Sequence, residues 1–535
     1  MPSAIVIGSG PAAAGVLLAL TAEPGWAVTV VDMGIDLDPE TRTVLERLAA
    51  APPREWAEDD VARVARRAAD SRDGGLPETK LIYGSDYVYR DAGQLSPLAV
   101  GPGVHPQLIS AAYGGFSSAW SAQVLPFPET AFRTWPFGAG ELAPHYAAIL
   151  RAIPFAATTD DLAEELPLYA DPLPPLPLSA AASAILERYR RNRRLLRRRG
   201  LTLGRARLAV KSAGCTLCGL CMSGCPYSLI YSSAETVGRL RAAKRITYLG
   251  GLRAVRIDQQ EGATEASVTV ESLSDGSRRT LSADRVVVAC GAIGTSRLVL
   301  ESRRLHGVRL SLQESAQIIM PLLSLHGSGD PRDSSKHAMG ELSMLMRIPE
   351  LGAEPVHLQY FTYNPAFLDA LPGPMREGPG RRLLPSVLGR LSVILGYLPS
   401  GASRRVDLRL VAAATDGAPG VLSVEAPPAD RAHARLVRKV CLRLAGMGPW
   451  LDLYPILPKV VLSGAARSYH WGSAFPHRAT PGALDTDRWG RLQGWDRVHL
   501  VDASVLPSIA STTFTLTVMA NSHRIGSEVV RGLPA

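Results

Sequence analysis

"AIVIGSGPAAAGVLLAL", residues 4–20, reads as a buried strand, a glycine turn and a helix. Gly8 and Gly10 take the first two places of G-x-G-x-x-G, and Ala13 takes the third, where alanine is accepted. Gly8 permits the tight turn, Gly10 lets the backbone approach a pyrophosphate, and Ala13 lets the helix pack close to its strand. The helix N-terminus then turns partial positive charge toward the phosphates. A second apolar strand, "AVTVVDMG" (27–34), ends in Asp32, 24 residues after Gly8. A carboxylate there accepts hydrogen bonds from a ribose hydroxyl. Strand, turn, helix, second strand and terminal acid in register predict a Rossmann-like α/β domain that binds a dinucleotide. The motif alone does not separate FAD from NAD.

The rest of the chain is long enough for a second domain: 535 residues, 46% hydrophobic and 20% charged. No uninterrupted apolar run reaches the ~18 residues that suggest a membrane span. The N-terminus shows no export-signal pattern, so the expected location is cytoplasmic. The net charge of +9 raises the question of nucleic acid. Eight arginines, however, sit in one stretch, "LERYRRNRRLLRRRG" (186–200), with Ile185, Leu186, Tyr189 and Leu196 at near-helical spacing. This predicts an amphipathic helix with a solvated basic face. Such a face also suits an acidic protein partner. No aromatic-interleaved pattern supports nucleic-acid binding.

Further along, "AAYGGFSSAWSAQVLPF" (111–127) offers Gly114 and Gly115 for close backbone approach and Ser117 and Ser118 as small donors, or simply forms a turn. "ELPLYADPLPPLPLS" (165–179) is too proline-rich for a helix or a central strand. Strand patterns return over 246–300, ending in "RVVVACGAIGTSRLVLES" (285–302), a second strand–turn–helix. Alternating stretches over 305–460 predict a mainly antiparallel sheet in a separate α+β domain.

Four of the six cysteines fall in "GCTLCGLCMSGCPY" (214–227). Cys215, Cys218, Cys221 and Cys225, with Pro226 following, reproduce the ferredoxin run C-x2-C-x2-C-x3-C-P. Gly219 and Gly224 allow a tight loop in which backbone N–H groups face the sulfurs. An iron–sulfur cluster is the leading reading, with zinc and reduced thiols or local disulfides as alternatives. Cys225 either closes a [4Fe–4S] cluster or stays off it, leaving [3Fe–4S]. Cys290 and Cys441 read as buried packing.

Five segments together resemble the glucose–methanol–choline (GMC) oxidoreductases: "GSGPAAAG" with Asp32, "GGFSSAW" (114–120), "TWPF…ELAPHY" (134–146), "VVVACGAIGTSRLVLES" and "VDASVLPS…TLTVMA" (501–520). The resemblance selects FAD. It implies an FAD domain assembled from residues 1–160, 231–304 and 465–535. A connector, basic helix and cysteine segment fill 161–230, and a substrate domain fills 305–464. It carries FAD contacts to Gly114, Gly115, Ser117, Val255 and Asp502. Ala119 stands where one branch has a flavin-linked histidine, so FAD is expected to be non-covalent. It also implies hydride transfer from an alcohol to flavin N5, with a histidine taking the hydroxyl proton. That histidine matches His470 in "SYHWGSAFP" (468–476), with His477 as rival because Gly472 is spaced one residue short of the usual pattern. The second catalytic position, eleven residues after Asp502, holds Thr513 instead of Asn or His. Asn521 and His523 read as helix or core contacts. A cluster beside FAD implies a dehydrogenase with an acidic electron carrier docking on the basic helix, and the family's habit together with Ala119 implies a sugar, sugar derivative or aminocyclitol-like alcohol as substrate. Alternatives are an oxygen-using oxidase with structural cysteines and a non-catalytic electron-transfer subunit.

Overall fold

The computed structural model describes the chain except residues 67–71, 74–75, 78–79, 332–335, 363–377, 379–381, 413–419, 429 and 533–535. The N-terminal strand, Ser3–Ile7, lies in the middle of a five-stranded parallel sheet. In spatial order the strands are Val498–Leu500, Arg285–Val288, Ser3–Ile7, Ala27–Val31 and Thr247–Leu249. Parallel neighbours need long crossovers, and here the crossovers bring three distant parts of the chain into one sheet. The helix after the glycine turn, Pro11–Leu20, is buried along most of its length. It packs against the C-terminal helix, Thr515–Arg531, through Gly15 on one side and Gly526 on the other.

A second sheet of seven strands is antiparallel throughout. Its main path runs Tyr454–Pro455, Gln317–Leu323, Leu391–Tyr397, Val356–Phe361, Leu342–Met346 and Leu201–Arg205, with Val461–Leu462 also paired to Gln317–Leu323. Side chains alternate between its faces. Ile318, Met320, Met344, Leu358 and Ile394 point into a core shared with the helices Ala180–Arg191 and Arg431–Ala445. The opposite face carries Gln317, Ile319, Leu395 and Tyr397 and roofs the cavity described below.

The arginine-rich stretch forms two helices, Ala180–Arg191 and Arg193–Arg198, where the sequence suggested one. The break falls at Asn192, whose side-chain amide donates to the Arg188 carbonyl (2.9 Å) and so competes with helix continuation. Ile185, Leu186, Tyr189 and Leu196 are buried as their spacing predicts. Much of the basic face is engaged within the chain. Arg188 pairs with Asp452 (3.2 Å), Arg193 with Asp161 (2.6 Å) and Arg197 with Glu164, while Arg199 lies 4.3 Å over the Trp450 ring. Among the described residues no helix is long and apolar enough to cross a membrane.

Candidate active site

A cavity of about 1170 Å³ extends from the glycine turn to the roof sheet. At its first end Gly8 has φ +107°, and a Cβ there would stand 2.6 Å from the carbonyl oxygen of Ala289, the residue that follows the neighbouring strand Arg285–Val288. A Cβ on Gly10 would meet no protein atom within 4 Å, so the space beside it is open to a ligand. Gly10 ends the turn as N-cap without a capping side chain, which leaves first-turn N–H groups available to an anion. Ala13 is fully buried and serves helix packing.

Ser9 ties this end together. Its hydroxyl donates to Asp32 Oδ2 (2.5 Å) and accepts from the Gly114 N–H (2.9 Å). Tyr248 adds a second donor to Asp32 (3.0 Å). Burial nevertheless outweighs these hydrogen bonds and pushes the Asp32 carboxyl up to about 7. Gly114 and Gly115 both have positive φ, and Gly115 lies against Gly10. Ser117 lines the cavity, but its hydroxyl donates to the Gly114 carbonyl (2.6 Å) and accepts from the Ser233 N–H (2.9 Å). It therefore holds the turn in shape. Val255 and Asp502 line the same space. Asp502 accepts from Thr295 and from the Ser504 N–H (2.9 Å), and burial raises its carboxyl above the usual range. Cys290, expected as packing, also lines the cavity.

At the other end stand His470 and Thr513. His470 directly precedes the two-residue strand Trp471–Gly472, which pairs with Arg309–Glu314. Its carbonyl accepts from the Ser315 N–H (2.9 Å). Its Nδ1 is buried without a hydrogen-bond partner, leaving the Nε2 edge open to the cavity. Burial pushes the imidazole down to about 4, so the ring is neutral at neutral pH. Thr513 Oγ1 is likewise buried without a partner. His477 is fully buried, with Nδ1 on the Asp487 carbonyl (2.7 Å) and Nε2 on Asn521 (3.1 Å). His523 pairs with His145 on the helix Ala139–Ala152 (2.9 Å). Of these histidines, His470 is the one that lines the cavity. The rings of Tyr397 and Phe514 that flank it carried no sequence signal as a pair, because the sheet register brings residue 397 to the cavity.

The cysteine loop forms part of the same wall through Gly219, Met222 and Ser223. All four cysteines are half-buried and free. Cys215 accepts a backbone hydrogen bond from Leu217, Cys218 from Leu220, and Cys221 from Ala338 (3.4 Å). Tyr83 pins the loop, donating its N–H to the Ser223 carbonyl (2.5 Å) and its hydroxyl to the Cys225 carbonyl (3.1 Å). Lys80, on the cavity wall beside Cys221, donates to the Ala119 carbonyl (2.7 Å), and burial lowers its amine to about 8. Three of the four sulfurs thus face backbone N–H groups. Among the described residues, however, no three His, Cys, Asp or Glu side chains are gathered to hold a metal ion.

The long cavity, the glycine turn and Asp32 fit a dinucleotide cofactor, whose phosphates the first-turn N–H groups of the helix Pro11–Leu20 would hold. Residues 156–306 match the family model described as GMC oxidoreductase. No curated protein sequence matches. Among solved structures the chain is similar to pyridoxine 4-oxidase from Mesorbium loti, at 14% identity and TM-score 0.61 over 100% of both chains. It is also similar to a formate oxidase, at 14% identity and TM-score 0.62 over 99% of this chain and 98% of that one. A formate oxidase variant from Aspergillus oryzae, solved in connection with FAD modification, gives 13% identity and TM-score 0.61 over the same shares. At these identities the likeness is one of fold.

Proposed function

We propose that this chain is a GMC oxidoreductase, an FAD-dependent enzyme that oxidises a hydroxyl group of a polar substrate to a carbonyl; the family match over residues 156–306 and the likeness of fold support the reading. The observation that carries the reading is continuity. His470 and Thr513 share one cavity with the Gly8–Gly10 turn and Asp32. The first-turn N–H groups would hold the pyrophosphate, Asp32 a ribose hydroxyl, and Asp502 the stretch between phosphate and ring. FAD is held non-covalently, since Ala119 offers no side chain for attachment. When bound, FAD supplies the hydride acceptor. His470 takes the hydroxyl proton at Nε2, and Thr513 orients the substrate oxygen without acting as a base. The roof sheet keeps water from the reacting carbon. Anaerobic flavin bleaching by a panel of sugars, polyols and pyridoxine tests this reading. Replacing His470 with alanine should slow bleaching by about 100-fold; an unchanged rate would favour a non-catalytic electron carrier.

The finer part of the proposal concerns the cysteine loop. Its spacing and its backbone N–H···S hydrogen bonds support an iron–sulfur cluster, [4Fe–4S] or [3Fe–4S], on Cys215, Cys218, Cys221 and Cys225. A cluster would make the enzyme a dehydrogenase with a one-electron carrier, in a reducing, cytoplasmic compartment. The basic helices would then be a docking face for an acidic carrier, through the arginines not already paired. A second reading has its own support. The similar structures are named as oxidases, so oxygen is the competing acceptor. Iron and sulfide analysis of anaerobically purified protein, with stopped-flow reoxidation by air, separates the two.

A further inference from the structure

A histidine base is ordinarily oriented by a hydrogen bond at its second ring nitrogen. His470 has no such bond, because its Nδ1 is buried and unpartnered. Two rings flank the imidazole instead. Tyr397 comes from the roof sheet, with ring centroids 5.0 Å apart and planes at 31°. Phe514 comes from the start of the C-terminal helix, with centroids 5.1 Å apart and planes at 61°. The tyrosine is itself anchored. It lies cross-strand from Gln317, whose side-chain amide donates to its hydroxyl (3.0 Å), and Gln317 accepts in turn from Ser463 (3.1 Å). On its other side Tyr397 stacks at 26° on His357, its neighbour in the next strand.

We infer that Tyr397 and Phe514 are the positioning residues of His470, an aromatic clamp that does the work of the missing hydrogen bond. The inference rests on the reading of His470 as the base. Its physical content is that the two rings packed on the imidazole restrict its rotation and keep water from the parts of the ring they cover. The clamp joins two parts of the fold. One jaw belongs to the sheet that carries the cavity-facing glutamine and leucine, the other to the helix whose far side packs on the nucleotide-binding helix. Among the described residues the titratable groups facing His470 are Tyr397 and, behind it, His357. The helix side brings Phe514 and Thr513, neither of which titrates near neutral pH.

The test uses the FAD-loaded full chain and three variants: Tyr397→Phe, which keeps the ring, and Tyr397→Leu and Phe514→Leu, which remove one. Carbon-13-labelled histidine NMR follows the titration of His470, identified by its loss in His470→Gln. Stopped-flow flavin reduction uses the fastest of D-glucose, glycerol, myo-inositol and pyridoxine. Either leucine variant should admit water, so that His470 titrates at higher pH than in the parent. It should also lower the limiting reduction rate by roughly 100-fold with the half-saturating concentration little changed. Tyr397→Phe should keep both properties. The inference is overturned if both leucine variants leave the His470 titration where it was, or if Tyr397→Phe loses as much as Tyr397→Leu. Phe514 is only half-buried, so its variant covers the case in which Tyr397→Leu does not fold. If none of the four alcohols bleaches the flavin, the proposed function fails, and the NMR titration still decides the clamp.

Discussion

Replacing Gly15 with alanine should force apart the two helices that hold both ends of the site. A Cβ on Gly15 would overlap the Met519 carbonyl oxygen and Ser522 Oγ, and would stand 3.0 Å from Met519 Cα. Ordinary contact begins at 3.4 Å, so even the Cα requires a parting of 0.4 Å (3.4 − 3.0), and the carbonyl requires more. Backbone atoms of a helix cannot swing aside as a side-chain tip can. Overpacking of this kind costs about 1–3 kcal/mol. Alanine's better helix propensity returns about 1 kcal/mol, so a net loss of up to about 2 kcal/mol is expected. The helix ends matter as much as the total. The N-terminus of one helix faces the glycine-turn end of the cavity, and the N-terminus of the other follows Thr513 and Phe514. FAD affinity should therefore fall as well, tenfold for each 1.4 kcal/mol of the strain that binding must reverse. Urea unfolding of the loaded chain, with FAD release followed by flavin fluorescence, measures both quantities. Gly526→Ala makes the complementary overlap, with its Cβ 2.8 Å from Val16 Cγ2 and 3.0 Å from Ala19 Cβ. The double variant should lose less than the sum, because helices already parted by one methyl accommodate the next. A Gly15→Ala chain as stable as the parent, with unchanged FAD affinity, would refute the close-approach argument.

Gly10→Ala should behave in the opposite way: unfolding midpoints close to the parent's, but weakened FAD binding in fluorescence titration, since its Cβ projects into ligand space and meets no protein atom. Acid should destabilise the fold between about pH 6.5 and 4. His105, His145, His470, His499 and His523 are held at about 4 by burial, below their ordinary 6.5. The unfolded chain therefore takes up protons first as pH falls, and stability present above 6.5 is lost toward 4. Asp32 and Glu341, raised to about 7, act in the opposite sense over the same range, so a flat thermal midpoint from pH 7 to 4.5 would mean that the carboxyls cancel the histidines. Serine at Cys218 or Cys221 should abolish bound iron on elemental analysis while FAD content stays near that of the parent; equal iron in parent and variant would remove the cluster from the reading.

The nucleotide-binding half was legible because its determinants are local. A glycine turn between strand and helix states its geometry within ten residues, and Asp32 needs only the next strand to reach it. Ile185, Tyr189 and Leu196 likewise announce a buried face by spacing alone. The split at Asn192 was not visible, because it depends on one side chain choosing the backbone over solvent. The roof was less legible still. Tyr397 reaches His470 only because Gln317 pairs with it across one strand boundary and His357 across another. The partners of His477 were equally hidden, because Asn521 and Asp487 saturate its ring nitrogens from elsewhere in the chain. The cysteine spacing was plain, but spacing does not say how far apart the folded loop holds its sulfurs.

The alternation in the roof sheet has a consequence for descent. In its four central strands the even-numbered side chains, such as Ile318, Met344, Leu358 and Ile394, lie in the second core, while Gln317, Ile319, Leu395 and Tyr397 face the cavity. Selection for a new substrate and selection for a durable fold therefore act on interleaved but separate sets of codons. Under the proposed function, a change at 319 or 395 would alter the cavity wall without spending the stability invested one residue away. Relatives with the same core and different diets are the expected outcome of such a sheet.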